Sequence, residues 1–378
     1  MPDVLVYGDT FRSPEMRHEI TLGIPDPFLY VERDGLRHVV VGSLELPRIA
    51  ALGLDGLHSP EEFGSDELMA AGKSALEVRR ETPVRAVEAL GIESAHVPAT
   101  FPIWLADRLR AEGVELTVDE ELFADRRRVK SPAELEGIRR AQRAAEAGMD
   151  AARDLLRRAD RDGDALVLDG EPLTVERIKS AMAAAFAAAG TTAEEFIVAP
   201  GPQGAVGHDM GSGPVRAGVP IVIDVWPRDA ETACYADMTR TFVVGDVPEQ
   251  VARWYALCKQ ALDAAAAAIR DGAPARGVFD LTCDIFEAAG EPTQRTKQPG
   301  TTLADGFFHG LGHGVGLEVH ERPGMGRAST ETLRAGDVVT VEPGLYRQGF
   351  GGVRLEDLLL VTENGAESLT RYPYDLAP

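Results

Sequence analysis

The chain of 378 residues is long enough for about two or three domains of ordinary size. Its 39 Lys and Arg against 61 Asp and Glu give a formal net charge of −22, which argues against binding to nucleic acid or to an anionic membrane surface. Only three cysteines are present, no basic segment followed by an apolar one opens the chain, and no run of about twenty apolar residues occurs, so we expect a soluble cytoplasmic protein with free thiols.

Short strand-like and helix-like segments alternate in the first part of the chain, which favours a small α/β domain. Strands are predicted at 28–31, 38–42 and 95–97, and helices at 84–90 and 103–112. A basic run at 125–130 follows, and we interpret it as a solvated linker. We therefore expect an N-terminal domain at 1–128 and a second domain at 129–378.

The second domain repeats one order of elements. Ser131 as N-cap, Pro132 at the first helical position and Glu134 two residues later predict the start of a helix. Helices predicted at 131–159 and 175–189 precede strand-like segments at 219–226 and 236–244, and helices at 249–270 and 276–290 precede strand-like segments at 338–346 and 352–362. Two helices followed by a hairpin, twice, indicate a pseudo-duplicated α+β domain over 130–247 and 248–366.

Each predicted hairpin carries a pair of acids in apolar surroundings. Pairing Asp224 with Asp237 centres the first turn between Ala230 and Glu231, in a polar segment. The two side chains would then be about 5 Å apart across the ladder, which is destabilising unless a cation lies between them. The alternative is a different register that leaves both acids in solvent.

The second hairpin repeats this arrangement. Pairing Glu342 with Glu356 centres the turn on Gly349, within a glycine-rich loop. Arg354 precedes Glu356 by two residues and therefore lies on the same face of the sheet, where it can orient a carboxylate. Two acid pairs in duplicated halves favour a shared site over chance.

Four of the eight histidines lie in the second domain: His208, His309, His313 and His320. Glycines at 310, 312, 314 and 316 argue against a helix and for a loop that leads into a strand. Four acids and one histidine describe an oxygen-rich site that favours Mn²⁺, Fe²⁺, Co²⁺ or Zn²⁺ over a thiolate zinc site. Such a set can hold two metals ~3.5–4 Å apart.

The order Asp, Asp, His, Glu, Glu lies within the motifs ADMTRTF, GHGVGLEVHERP, VEPGLY and GVRLEDLLLVTENG. This pattern resembles the pita-bread metallopeptidases, in particular the Xaa-Pro dipeptidase (prolidase) and aminopeptidase P branch, over residues 131–366. The preceding segment is similar to the creatinase/prolidase N-terminal domain. The resemblance implies an α+β chain, with a C-terminal pita-bread fold, a smaller N-terminal α/β domain and assembly as a homodimer.

The resemblance also implies roles for individual residues. The metal ligands would be Asp224, Asp237, His313, Glu342 and Glu356, holding two divalent ions, with Mn²⁺ expected ahead of Co²⁺, Zn²⁺ or Fe²⁺. The remaining site residues would be His208 and His320 as substrate-contacting histidines and His309 as the extra substrate-binding histidine of this branch. For the mechanism, we expect His208 and His320 to be catalytic by donating hydrogen bonds to the substrate, Arg354 to hold a ligand carboxylate, and Glu342 to act as proton shuttle.

The activity implied is hydrolysis of Xaa-Pro bonds at the free N-terminus of a small peptide, by attack of a hydroxide that bridges the two metals. The alternatives are a lyase or amide hydrolase that acts on a small non-peptide substrate and, less favoured, a non-catalytic binding module. Asp224 and Asp237 lie thirteen positions apart, where the family usually has eleven, and Trp226 with Pro227 replaces the usual glycine. We expect this longer hairpin to affect substrate choice.

Overall fold

The structure is a computed structural model that describes residues 2–378. Its packing divides the chain into two compact units, Met1–Arg127 and Arg128–Pro378. None of the helices in residues 2–378 is long and apolar enough to cross a membrane.

The N-terminal unit is built on a six-stranded mixed sheet. Its strands are β1 (Val4–Gly8), β2 (Phe28–Arg33), β3 (Leu36–Val40), β4 (Gly56–His58), β5 (Ser94–Val97) and β6 (Glu115–Val118), in the order β4-β3-β2-β1-β5-β6. Its helices are α1 (Pro14–Glu19), α2 (Leu46–Ile49), α3 (Ser65–Ala70), α4 (Ala75–Ala89), α5 (Ile103–Ala111) and α6 (Glu120–Arg128). Leu5 joins one apolar cluster and its neighbours Val4 and Val6 another, because side chains alternate along a strand.

Residues 125–128 of the basic run belong to α6, and the interpretation of 125–130 as a solvated linker is wrong. Arg127 and Arg128 are buried, and Arg126 and Arg128 bond to carboxylates that are distant in sequence. Arg126 bonds to Glu19 at 2.9 Å and to Glu32 at 2.8 Å. Arg128 is 2% exposed and donates to both carboxylate oxygens of Asp337, at 2.9 and 2.6 Å. Such bidentate pairs provide acceptors for the N–H groups of a buried guanidinium.

The C-terminal unit contains two pairs of long helices. They are α7 (Pro132–Arg158) and α8 (Val175–Ala188) in the first half, and α9 (Glu249–Ala268) and α10 (Ala275–Ala288) in the second. Helix α7 begins with a complete capping box, in which Ser131 accepts from the Glu134 N–H and Glu134 accepts from the Ser131 N–H. The predicted helix starts are therefore confirmed to within one residue in these four helices.

The first half of this unit contributes β7 (Asp160–Asp162), β8 (Ala165–Leu168), β9 (Glu171–Pro172), β10 (Thr191–Thr192), β11 (Ile197–Pro200), β12 (Ile221–Val225), β13 (Arg228–Asp229) and β14 (Met238–Phe242). The second contributes β15 (Gly312–Gly314), β16 (Glu321–Met325), β17 (Val338–Val341), β18 (Gly344–Arg347), β19 (Gly351–Arg354), β20 (Asp357–Thr362) and β21 (Gly365–Ser368). The principal sheets have the orders β11-β12-β14 and β16-β15-β17-β20-β21.

The predicted register of the first hairpin is wrong by two residues. Asp224 pairs with Thr239 and not with Asp237. The hairpin continues past Pro227 to a bridge between Arg228 and Tyr235, and the hydroxyl and N–H of Thr232 fix its tip on the Asp229 carboxylate. Because side chains alternate with a period of two, this slip leaves Asp224 and Asp237 on one face as diagonal neighbours.

The predicted register of the second hairpin is confirmed. Val341 pairs with Asp357 and Gly344 with Arg354, which places Glu342 opposite Glu356 where the backbone passes between two ladders. The turn contains Gly349 at φ +74°, a conformation that favours glycine.

Candidate metal centre

One cavity of about 720 Å³ in the C-terminal unit collects the residues singled out in the sequence. Its wall includes all nine of them: His208, Asp224, Asp237, His309, His313, His320, Glu342, Arg354 and Glu356. The volume lies within the usual range for sites of small ligands. The cavity is therefore the candidate functional site.

Three donors from different elements converge within it. Asp237, just before β14, His313 in β15 and Glu356, just before β20, each offer a ligand atom within 4.8 Å of the others. His313 Nε2 lies 3.8 Å from Asp237 Oδ2 and 3.6 Å from Glu342 Oε1. Both halves of the unit thus contribute donors to a single cluster.

The cluster brings several carboxyl groups together where little water reaches them. Burial, and then the neighbouring carboxylates, raise the pKa of Asp237 and of Glu356 well above the usual range. Burial raises the pKa of Glu342 to about 8, with Arg354 opposing and Asp224 reinforcing the shift. A cation placed among these groups would reverse these shifts by favouring their ionised forms.

His313 is prepared to act as a neutral donor. Its Nδ1 lies 3.1 Å from the Gly314 carbonyl oxygen, which accepts the ring N–H and leaves the Nε2 lone pair directed at the carboxylates. Burial, and then the neighbouring His320, lower the pKa of His313 to about 4. The ring is therefore uncharged near pH 7, which is the form that binds a metal.

Arg354 fixes one carboxylate of the first hairpin. Its Nη2 donates to Asp224 Oδ2 at 2.5 Å, and its other nitrogens donate to the hydroxyls of Thr239 and Tyr346, at 3.1 and 2.9 Å. Thr239 in turn donates to Glu356 Oε2 at 2.7 Å. The sequence placed Arg354 beside Glu356, whereas the structure shows a direct bond to Asp224 and a link to Glu356 through Thr239.

Thr239 and Tyr346 are site residues that the sequence analysis missed. A correct register would have found Thr239, since it is the residue opposite Asp224. Tyr346 ends the motif VEPGLY, but only the contact of its hydroxyl with Arg354 shows its role in the site.

The donor set fits a metal. Asp224 Oδ1 is buried and has no hydrogen-bond partner within residues 2–378, although its carboxylate is held in place by Arg354 through the other oxygen. A buried carboxylate oxygen without a partner is costly unless something else binds it. Oxygen atoms and one imidazole nitrogen are ligands suited to Mn²⁺, Fe²⁺, Co²⁺ or Zn²⁺.

The other three histidines differ in their hydrogen bonding and in their exposure. His309 is held at both ring nitrogens, with Nδ1 2.7 Å from the Gly310 carbonyl oxygen and Nε2 2.9 Å from the Tyr346 hydroxyl. His320 is exposed and packs edge-on against His313, with ring centroids 4.2 Å apart. His208 is exposed on the loop after the helical turn Gly201–Ala205. His208 and His320 are therefore accessible from the cavity.

The chain is similar to known proteins both in sequence and in structure. Among curated proteins, the Xaa-Pro dipeptidase of Pyrococcus furiosus is 35% identical over 187 residues, which cover 48% of this chain and 49% of that protein. The aligned segment thus spans about half the length of that relative. Among solved structures, the Xaa-Pro dipeptidase from Bacillus anthracis has a TM-score of 0.79 at 21% identity, covering 100% of this chain and 94% of that chain.

The X-Pro aminopeptidase from Thermotoga maritima MSB8 has a TM-score of 0.76 at 20% identity, covering 99% of this chain and 97% of that chain. At such identities the likeness shows the fold, and it confirms the expected pita-bread architecture with its N-terminal α/β domain. Residues 136–363 match the profile described as metallopeptidase family M24. Because this match covers more than half of the sequence, the chain belongs to metallopeptidase family M24.

Proposed function

We propose that the chain is a metal-dependent exopeptidase that hydrolyses Xaa-Pro bonds at a free N-terminus, as a dipeptidase or an aminopeptidase. The observation that carries the proposal is the convergence of Asp237, His313 and Glu356 within one cavity that also contains the other predicted site residues. The similar proteins are called Xaa-Pro dipeptidase and X-Pro aminopeptidase, which supports the substrate class.

We assign Asp224, Asp237, His313, Glu342 and Glu356 as ligands of two divalent ions. Mn²⁺ is the first candidate because four of the five donors are carboxylates. Two bound cations would supply a water nucleophile at neutral pH and would stabilise the negative charge of the transition state. The unpaired Oδ1 of Asp224 and the preset tautomer of His313 support this assignment.

Side chains of the protein have the remaining roles in the proposed reaction. Glu342 takes the proton of the attacking water and delivers it to the proline nitrogen as that group leaves. His320 and His208 donate hydrogen bonds to the substrate carbonyl oxygen as negative charge develops on it. Arg354 orients Asp224, and Tyr346 orients His309 toward the substrate side of the cavity.

A paired assay tests the proposal. The Mn²⁺-supplemented protein is given an Xaa-Pro dipeptide and an Xaa-Pro-Yaa tripeptide, and the products are separated by chromatography. Cleavage of the dipeptide alone identifies a dipeptidase, and cleavage of the tripeptide identifies an aminopeptidase. If neither peptide is cleaved, the exopeptidase proposal is wrong and the non-peptide alternative takes its place.

We further propose the domain boundary after residue 128, assembly as a homodimer and a cytoplasmic location. The composition and the family resemblance support these assignments. Light scattering coupled to size-exclusion chromatography tests the dimer, because a mass near one chain of 40.6 kDa contradicts it.

A further inference from the structure

Glu195 and Trp226 lie together on one wall of the site cavity. β11 and β12 are antiparallel, with Ile197 opposite Asp224. The next ladder, β10 with β13, pairs Thr192 with Arg228, so Glu195 and Trp226 both lie in the short break between the two ladders. Trp226 also follows Asp224 by two residues, so its indole points to the same face about 7 Å further along the chain. An acid and an indole thus adjoin the candidate metal ligands.

Glu195 makes no short polar contact with the residues that the structure describes. Its side chain is exposed, and within residues 2–378 it makes neither an ion pair nor a hydrogen bond. Lys179 of α8 lies with Nζ 5.5 Å from the ring centroid of Phe196, the residue that follows Glu195. Burial lowers the pKa of Lys179, and the charges of Glu176, Asp209 and Glu195 only oppose that shift at a distance. The Glu195 carboxylate is therefore available to a ligand.

We infer that Glu195 and Trp226 form a subsite for a cationic side chain at the Xaa position, so that the enzyme prefers substrates that begin with Lys or Arg. The inference rests on the proposed function. The face of an indole attracts an ammonium or guanidinium group, and the carboxylate of Glu195 pairs with it. Met210 lies on the same wall and offers apolar contact to the alkyl stem.

The length of the substrate's first side chain separates its charged end from the substrate's α-ammonium group. The α-nitrogen is separated from the scissile carbonyl carbon by a single atom, so it stays beside the cluster of Asp237, His313 and Glu356 when that carbonyl is bound there. Only the four-carbon stem of lysine, or the similar stem of arginine, reaches along the wall. Glu195 therefore pairs with the charged side chain of the substrate and not with its N-terminal ammonium group.

The first test compares Lys-Pro with norleucine-Pro, which has a similar stem without the charge. We expect the Mn²⁺-loaded wild type to favour Lys-Pro by about tenfold in kcat/KM, the sum of an exposed ion pair and a cation–π contact. Glu195→Gln and Trp226→Leu should each reduce this ratio by about threefold, because each leaves the other contact in place. Glu194→Gln is the matched control, because this neighbouring exposed acid lies outside the cavity wall, and it should leave the ratio unchanged.

The second test measures binding alone, by calorimetric titration of the Mn²⁺-loaded protein with lysinamide and norleucinamide. Tighter binding of lysinamide than of norleucinamide that is reduced about threefold in Glu195→Gln supports the subsite, even if no peptide is cleaved and the proposed function fails. Equal affinity of the wild type for the two amides overturns the inference. So does an equal loss for both amides in Glu195→Gln, because that result assigns Glu195 to the α-ammonium group.

Discussion

The two hairpins of the C-terminal unit supply the same kind of residue to the site but are held in different ways. In the first, the tip is anchored to a helix, because Arg140 of α7 donates to both oxygens of Asp229 at 2.9 Å. In the second, Gln348 holds the turn, because its N–H donates to Asp305 Oδ1 at 2.9 Å and its side-chain amide donates to the Ala205 carbonyl oxygen at 3.0 Å. Arg354 of this hairpin also donates to Asp224 of the first. The first tip is thus held by an ion pair and the second turn by the hydrogen bonds of Gln348, while Arg354 joins the two hairpins at the site.

In both hairpins, candidate metal ligands lie where the regular strand pairing is interrupted. Asp237 precedes β14, and Glu342 and Glu356 lie in the break between the ladder of β17 with β20 and that of β18 with β19. Carboxylates in such breaks escape the strict alternation of a strand and can turn toward a common point. The anchors then limit the disorder that the breaks would otherwise introduce.

The largest expected effect comes from removing one charge in each hairpin. We expect Asp237→Asn and Glu356→Gln each to lower the bound Mn²⁺ from two ions to one or none, and to lower kcat/KM by a thousandfold or more, since a cation stabilises the transition state by several kcal/mol. Elemental analysis after dialysis measures the metal. Glu363→Gln, at an exposed position, is the control, and retention of two ions in either variant would refute the ligand assignment.

Loss of the anchor near the site should have a smaller effect. Arg354→Met removes the hydrogen bonds to Asp224, Thr239 and Tyr346 while the ligands themselves remain. We expect the Mn²⁺ affinity, measured by calorimetry, to fall about 10- to 100-fold, as is usual when the groups that orient metal ligands are lost. Arg347→Met changes an exposed arginine of the same hairpin and should leave the affinity unchanged. An unaltered affinity in Arg354→Met would mean that Asp224 does not depend on this arginine.

The anchor at the first hairpin tip should contribute to stability. With excess Mn²⁺ at pH 7, we expect Asp229→Asn to lower the free energy of unfolding by about 2 kcal/mol, because charge-assisted hydrogen bonds from Arg140 and Thr232 are weakened. Urea denaturation measures this change. Glu231→Gln is the control, since Glu231 also pairs with Arg140, at 3.2 Å, but is 80% exposed and should change the stability little.

The ionisation of Asp229 should make its contribution to the free energy of unfolding depend on pH. Burial raises the pKa of Asp229, but the hydrogen bonds from Arg140 and Thr232 outweigh it, so the folded-state pKa is lowered. Its stabilising effect is therefore present above the unfolded pKa of about 3.9 and is lost as pH falls through the folded value. The difference between wild type and Asp229→Asn should be constant from pH 8 to 5 and shrink below pH 4. A difference that shrinks already near pH 6 would contradict the assignment.

These anchors also explain what the sequence could and could not predict. The second hairpin register was predictable because its turn depends on a local feature, Gly349 in a glycine-rich loop. The first was not, because its tip is set by Arg140, which lies 89 positions from Asp229 in the sequence. All nine residues singled out in the sequence line the cavity, and six of them lie within the four motifs. The bond of Arg354 to Asp224 spans 130 positions and has no trace in local spacing.

The smallest expected effects distinguish the two hairpin tips themselves. Gly349 has φ +74° and Ala233, in the first tip, has φ +66°. Gly349→Ala should lower the free energy of unfolding by about 1 kcal/mol, because a side chain is strained in this conformation. Ala233→Gly should relieve a similar strain but lose a buried methyl group worth about 0.8 kcal/mol, for a net change within about 0.5 kcal/mol.

Gly365→Ala supplies the control for these two variants. Gly365 has no positive φ, and a Cβ added to it meets no atom within 4 Å, so alanine there should be neutral or slightly stabilising because it restricts the unfolded chain. Urea denaturation in excess Mn²⁺ measures all three variants. A loss in Gly365→Ala equal to that in Gly349→Ala would show that backbone angle does not distinguish these turns. A loss above 2 kcal/mol in Ala233→Gly would show that the first tip depends on methyl packing more than on its anchor.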